Sequence, residues 1–264
     1  RLAALSEVQW CKAERKDWER FYDGAEVYCR IYGTMGYNFA EHIFHAKGNV
    51  QVDTAAKSAT VELWAQDDVP VRYSLDGTAP TRFSRKYEGP LTLTESFHLR
   101  AVAFRDDAQP REFTCRFKAH KAIGAELKYS CPPYRRYRYG VPQNLVDGLR
   151  GTEAFRTPSW GGWRGTPVEF TLDLKTEQTI SKVTLGMLRD QMSNIFLPES
   201  ISVSLSSDGV DYKEVATVEH ESEAEAENCL VDLDIDFAET SARYVKVFVN
   251  PGSAYVFFDE IIIL

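Results

Sequence analysis

The chain holds no purely apolar run longer than about seven residues, which excludes a membrane-spanning helix. It has no excess of positive charge. The formal net charge is -8 at pH 7, which argues against nucleic acid or an anionic membrane as partner and leaves a neutral ligand compatible. It has no CxxC motif and no Cys/His cluster. Cys11, Cys29, Cys115, Cys131 and Cys229 are odd in number and widely spaced, so reduced, buried thiols are expected rather than a disulfide framework. A signal-peptide pattern is missing too, because "RLAALSEVQW" lacks a charged start followed by an apolar run. The first residue instead falls inside a helical pattern, as in a fragment of something longer. What is present suffices for packed cores: 44% hydrophobic and 12% aromatic residues over 264 positions, a length that suggests two or three units.

The hydrophobic period divides the chain into three. Residues 1–46 read as helical, with Trp18, Phe21, Ala25, Tyr28, Tyr32 and Met35 at spacings of three and four. Two short helices cannot bury that stripe alone, so its partner surface is expected elsewhere. His42 and His45 lie three apart there, a spacing open to a metal pair but read as an ordinary helix end. From 47 to 122 the period becomes two. "ATVELWA", "VPVRYSLDG", "GPLTLTES", "FHLRAVAFR" and "REFTCRFKA" are short alternating runs between turn residues, which predicts a small antiparallel sandwich. Residues 123–264 add "VEFTLDL", "ISKVTLGML", "ISVSLSS", "CLVDLDIDF", "RYVKVFV" and "FFDEIIIL". In "ISVSLSS" Ile201, Val203 and Leu205 should point inward and the serines outward. No helical period interrupts these strands, and the segment reads as an all-β sandwich. The fold class is mainly β.

Between the two β segments lies "NLVDGLRGTEAFRTPSWGGWRG", residues 144–165, with two tryptophans among five glycines. Glycine permits backbone shapes that other residues resist, so a loop here could hold indoles outward. An indole face suits the C–H face of a sugar ring, and arginine or tyrosine groups can bond the hydroxyls. Trp160, Trp163, Arg156, Arg164, Tyr137 and Tyr139 are therefore the candidate ligand-binding residues. Trp160 is expected to be exposed; Trp163 is open between that role and plugging the end of the sandwich. Asp147, Thr152 and, if the last strand runs alongside, Glu260 are candidate ligands for a structural Ca2+, since hard cations take carboxylate, hydroxyl and carbonyl oxygens from tight turns. Asp-Gly is also an ordinary turn.

Taken together, "NLVDGLRGT…SWGGWRG", "IFLPESISVSLSSDGVDYKEV" and "RYVKVFVN…FFDEIII" resemble the discoidin-type domain, of the coagulation-factor C and family 32 carbohydrate-binding class. That resemblance implies a β-sandwich jelly roll, often braced by calcium, with a ligand site on loops at one end. Asp147, Thr152 and Glu260 fall where the family's calcium ligands would. "VRYSLDGTAPTRFSRKYEGPLTLTESFHLRAVAF" resembles the immunoglobulin-like domain at the C-terminal side of chitobiases and bacterial β-hexosaminidases. The opening 45 residues look like the end of a family 20 glycoside hydrolase barrel.

The order of the three implies the C-terminal accessory region of an exo-acting β-N-acetylhexosaminidase, partnered by its upstream catalytic barrel and by amino-sugar or galactose-containing glycans. A periplasmic, cell-surface or secreted location goes with that. The catalytic Asp-Glu pair of such enzymes belongs upstream of Arg1. Asp259-Glu260, in the last strand of the sandwich, is rejected as a substitute, and Trp10 is read as structural. Carbohydrate-binding members commonly carry a sugar-contacting histidine, yet no histidine falls between 121 and 219, which leaves the glycan, or glycan binding itself, open. The alternatives are a purely structural spacer, membrane adhesion disfavoured by the charge, and hydrolysis by the fragment alone.

Overall fold

The computed structural model describes residues 2–40, 45–65, 69–104, 112–220 and 228–264. It has two compact units, and the middle segment contributes to both: residues 1–49, 62–89 and 100–114 form one, and residues 50–61, 90–99 and 115–264 the other.

In the first unit, helix α1 (Leu2–Trp10) is followed by α2 (Trp18–Thr34). Asp17 caps α2, its carboxylate accepting the Arg20 N–H at 3.0 Å. Arg20 ties the two helices together through Glu7 at 3.2 Å. No residue of α2 is buried; Trp18 and Met35 are exposed, as the unmatched stripe implied. Trp10, read as structural, is 88% exposed and packs in no core. His42 lies outside the described residues.

The middle segment forms seven strands: β1 (Lys47–Asp53), β2 (Ser58–Trp64), β3 (Val71–Ser74), β4 (Arg85–Lys86), β5 (Leu91–Leu93), β6 (Phe97–Ala103) and β7 (Phe113–Phe117). They make a three-stranded sheet, β1-β2-β5, and a four-stranded sheet, β4-β3-β6-β7, the strand complement of an immunoglobulin-like fold. Ala59, Val61 and Leu63 of β2 are buried while Glu62 and Trp64 are exposed, the alternation that period two demands.

The second unit carries the large sandwich: β8 (Glu126–Tyr129), β9 (Gly161–Arg164), β10 (Val168–Arg189), β11 (Ser200–Ser206), β12 (Lys213–Glu219), β13 (Cys229–Asn250) and β14 (Tyr255–Ile263). The order is β12-β11-β13-β10-β14-β9, with β8 also on β10. Two pairs of runs that read as separate strands are single 22-residue strands, β10 and β13. Register shifts after Asp173 and Ile180 bend the pair. The first half of β10 then pairs with β8 and the second half with β14. Residues of both halves share one apolar core, among them Phe170, Leu172, Val183, Leu185, Ile201, Val203 and Val247, as expected of a jelly-roll sandwich. Ile201, Val203 and Leu205 point inward. The five cysteines form no disulfide, but each is partly exposed rather than buried.

Candidate functional site

The glycines around the two tryptophans serve close packing, not exposure. Gly161–Arg164 form β9, antiparallel to β14, with Phe257 opposite Gly162 and Val256 opposite Trp163. A Cβ at Gly162 would stand 2.8 Å from the Phe257 ring, and one at Gly151 would stand 2.6 Å from the Trp160 ring. The chain therefore folds flush against aromatic faces that any other residue would push away. Trp160 and Trp163 are each 1% exposed. Trp160 packs with Leu188, Ile195 and Phe257, and its indole N–H donates to the Thr152 carbonyl at 2.9 Å. Trp163 sits edge-on to Phe170 at 5.1 Å and donates to the Cys131 carbonyl at 3.0 Å. The expected outward Trp160 is thus corrected: its polar edge has a partner and its faces are covered by its own domain. Trp163 takes the core alternative.

The same packing builds an open surface next door. In "YRRYRY" Tyr137 turns inward against Phe257, at 4.7 Å between ring centroids, and against Phe155 and Tyr255. The intervening arginines are left outward. Above this aromatic bed opens a cleft of about 320 Å³ lined by Arg136, Tyr137, Tyr139, Phe155, Arg156, Thr157 and Pro158. Tyr139 is 80% exposed. Arg156 lies over the Phe155 ring at 5.4 Å, and Arg164 over the Tyr255 ring at 4.9 Å. Of the six sequence candidates, Tyr137, Tyr139 and Arg156 thus meet in one cleft. Arg164 stands on an aromatic that touches Tyr137, and Trp160 supports the floor from behind through Phe257, while Trp163 sits in the main core. Arg136 and Phe155 escaped the sequence reading. Arg136 was one of three similar arginines in its run, and Phe155 became legible only once the loop closed on β14.

The candidate metal residues lie apart, around the buried Asp259 and Glu260. The Glu260 carboxylate accepts the Gly148 N–H at 2.9 Å and meets His120 Nε2 at 3.0 Å. Ala122 N–H donates to His120 Nδ1, so the ring proton resides on Nε2 and points at Glu260. Burial lowers the His120 pKa to about 3, which keeps it neutral. Asp147 accepts the Leu149 N–H at 2.8 Å and lies within hydrogen-bonding reach of Glu260. Burial raises the Asp147 carboxyl to about 7, and burial followed by the Asp147 charge raises Glu260. Asp259 accepts Arg150 Nε at 3.0 Å and Gly151 N–H at 2.6 Å, while Arg150 also reaches Asp232 at 2.6 Å. Burial pushes the Asp259 carboxyl up against the pull of Arg150.

Asp259 and Asp232 thus share the largely enclosed Arg150 guanidinium, while Asp147 and Glu260 form no described ion pair with it. That excess of negative charge and the hard oxygen donors of Asp147 and Glu260 fit a small divalent cation. Thr152 is not drawn to them by any described contact; its carbonyl holds Trp160, and its hydroxyl accepts the Ala154 N–H at 3.4 Å. Among the described residues no group of three His, Cys, Asp or Glu side chains is arranged to hold a metal. Asp259 and Glu260 are both sealed from solvent, where no glycosidic bond can reach them. No described helix is long and apolar enough to cross a membrane.

Residues 50–115 match the family model of the chitobiase/β-hexosaminidase C-terminal domain, and residues 128–260 match that of the F5/8 type C domain. Among solved structures, the chain is similar to the C-terminal domain of a Bacteroides fragilis chitobiase, at 15% identity and a TM-score of 0.42, over 55% of this chain and 95% of that one. It is similar to a Clostridium perfringens CBM32 module solved with GalNAc-β-1,3-galactose, at 16% identity and a TM-score of 0.40, over 55% and 99%. It also resembles SpGH29, at 16% identity and a TM-score of 0.38, over 55% of this chain but only 27% of that one. No curated protein matches the chain.

Proposed function

The chain belongs to the F5/8 type C domain family through residues 128–260, and from that premise we propose that its large sandwich is a carbohydrate-binding module. The ligand lies in the cleft of Tyr137, Tyr139, Phe155 and Arg156. The observation that carries the reading is the cleft itself: an 80%-exposed tyrosine beside a half-buried phenylalanine, with a guanidinium stacked at its rim. Aromatic faces take the C–H face of a pyranose, and guanidinium N–H groups bond its hydroxyls. Trp160 holds the floor through Phe257, and neither buried tryptophan touches the sugar.

A divalent cation, Ca2+ by its donor set, is part of the same reading. Asp147 and Glu260 would hold it, and its charge would offset the buried carboxylates and stiffen the turn at Gly148. The match at residues 50–115 supports placing the chain in a β-N-acetylhexosaminidase, where the module would keep an upstream catalytic barrel near terminal N-acetylhexosamines; action outside the cytoplasm is part of the same proposal. The purely structural alternative, a spacer that binds no ligand, is compatible with both tryptophans being buried in their own sandwich; what favours binding is the open cleft with its exposed Tyr139 and Arg156.

Titration calorimetry of the 264-residue chain against amino-sugar and galactose-containing oligosaccharides tests the proposal. Tyr139→Ala should weaken binding about three- to tenfold, the worth of one aromatic contact. Absence of binding across a broad glycan array rejects the function, and binding indifferent to Tyr139→Ala rejects the site.

A further inference from the structure

Resting on that carbohydrate reading, we infer that the cleft selects acidic sugars, those carrying a carboxylate or a sulfate. The observation is a local reversal of charge. Arg135, Arg136, Arg138, Arg156 and Arg164 are all exposed, and Glu153 is the single exposed carboxylate between residues 134 and 164. Five arginines against one glutamate make this stretch, which supplies the whole lining of the cleft, positive in a chain whose formal net charge is -8.

None of the five has an ion-pair partner among the described residues, whereas Arg20, Arg30, Arg100, Arg150 and Arg243 each do. The arrangement follows from the packing. Tyr137 faces the aromatic bed, which forces its neighbours Arg136 and Arg138 outward. Arg156 and Arg164 are propped by ring contacts that occupy their flat faces and leave their N–H edges for a ligand. Such an edge offers two parallel donors, which match the two oxygens of a carboxylate or sulfate better than a lone hydroxyl. Arg136 and Arg156 both line the cleft that holds Tyr139 and Phe155. An acidic substituent of a sugar stacked there falls within their reach. A concave, aromatic-floored cleft favours a sugar ring over a lipid surface, which would be met by protruding apolar side chains.

The test is calorimetry of the full chain with N-acetyllactosamine, its 3′-sialylated form and its 6-O-sulfated form, which differ in the acidic group. The sialylated or sulfated form should bind at least about tenfold tighter, the worth of a hydrogen bond to a charged group, and the advantage should shrink as salt is raised. Arg136→Ala and Arg156→Ala should each remove most of that advantage, and Arg156→Ala should also weaken neutral-sugar binding, because its guanidinium reaches the hydroxyls as well. Arg156→Lys, which keeps charge but loses the fork, should fall between. Lys86→Ala, an equal change of charge on exposed β4, should do nothing. Circular dichroism of each variant checks that it folds.

Equal or tighter binding of the neutral sugar overturns the inference and leaves the carbohydrate reading standing. Binding of none of the three, and of neither heparin nor polygalacturonate, overturns both. Capture by phosphatidylserine vesicles with no sugar bound overturns the assignment to a glycan.

Discussion

Replacing Gly186 by alanine isolates the packing that holds the end of β14 in place. Gly186 lies in β10, buried between Glu260 of β14 and Asp232 of β13. A Cβ there would stand 2.0 Å from Asp259 Oδ1 and 2.6 Å from Arg150 Nη2. Two effects oppose. Alanine in a strand interior is worth about 0.5–1 kcal/mol over glycine through the unfolded chain. Displacing Asp259 breaks a buried pair in which one oxygen accepts both Arg150 Nε and Gly151 N–H, and breaking such a pair costs about 3–5 kcal/mol. The second term wins, with a net loss of roughly 2–4 kcal/mol. For a unit of this size that corresponds to a Tm lowered by about 5–15 °C. The Oδ1 atom has no hydrogen-bond partner among the described residues, but it can retreat only by turning the carboxylate whose Oδ2 holds Arg150 Nε and Gly151 N–H. Urea and thermal unfolding of Gly186→Ala beside the wild type measure the difference. A variant as stable as wild type, or more stable, would refute the claim that Asp259 and Arg150 occupy the space over this glycine.

Trp160→Ala should lower stability by about 3–5 kcal/mol through the cavity it leaves, whereas Tyr139→Ala should stay within about 0.5 kcal/mol of wild type; denaturant midpoints separate them. In chelator, the raised carboxyls make stability fall as pH rises. Asp147, about 7 in the fold against its ordinary 3.8, binds a proton that the unfolded chain has released. Between pH 6.5 and 8 release of that proton should cost about 0.8 kcal/mol, of which unfolded-state His120, half charged at the lower end, offsets roughly 0.4 kcal/mol. A Tm that rises with pH over that window contradicts the buried pair. Millimolar Ca2+ should raise the Tm most at the upper end of that range, and an Asp147→Asn variant that responds equally to Ca2+ rejects the proposed cation site. Asp173 behaves oppositely: Arg243, bonded at two points of 2.8 Å, holds it near 2. Its contribution, about 0.5–1 kcal/mol for a partly exposed pair, is lost as pH falls through that value, and Asp173→Asn should flatten the acid limb of the unfolding curve.

Local pattern was enough where a residue's environment is repeated along the chain. The alternation of Ile201, Val203 and Leu205 fixes one face of β11 before any partner is known, because successive side chains of a strand point oppositely. The apolar stripe of α2 was legible for the same reason, as was its inability to bury itself. The family resemblances and the aromatic and basic character of "YRRYRYG" also lay in the chain's own residues. Tertiary structure decided the rest. A glycine next to a tryptophan is equally consistent with a mobile loop and with a strand pressed against an aromatic face, and the choice depends on Phe257, about a hundred residues away. The joining of two runs into β10 depends on how strand β13 bends beside it. Asp147 and Glu260 meet, and Arg136 and Phe155 share a cleft, only because β14 returns the chain's end beside the loop. Spacing along a sequence carries the period of one element, while contacts between elements are set by which surfaces exclude water together.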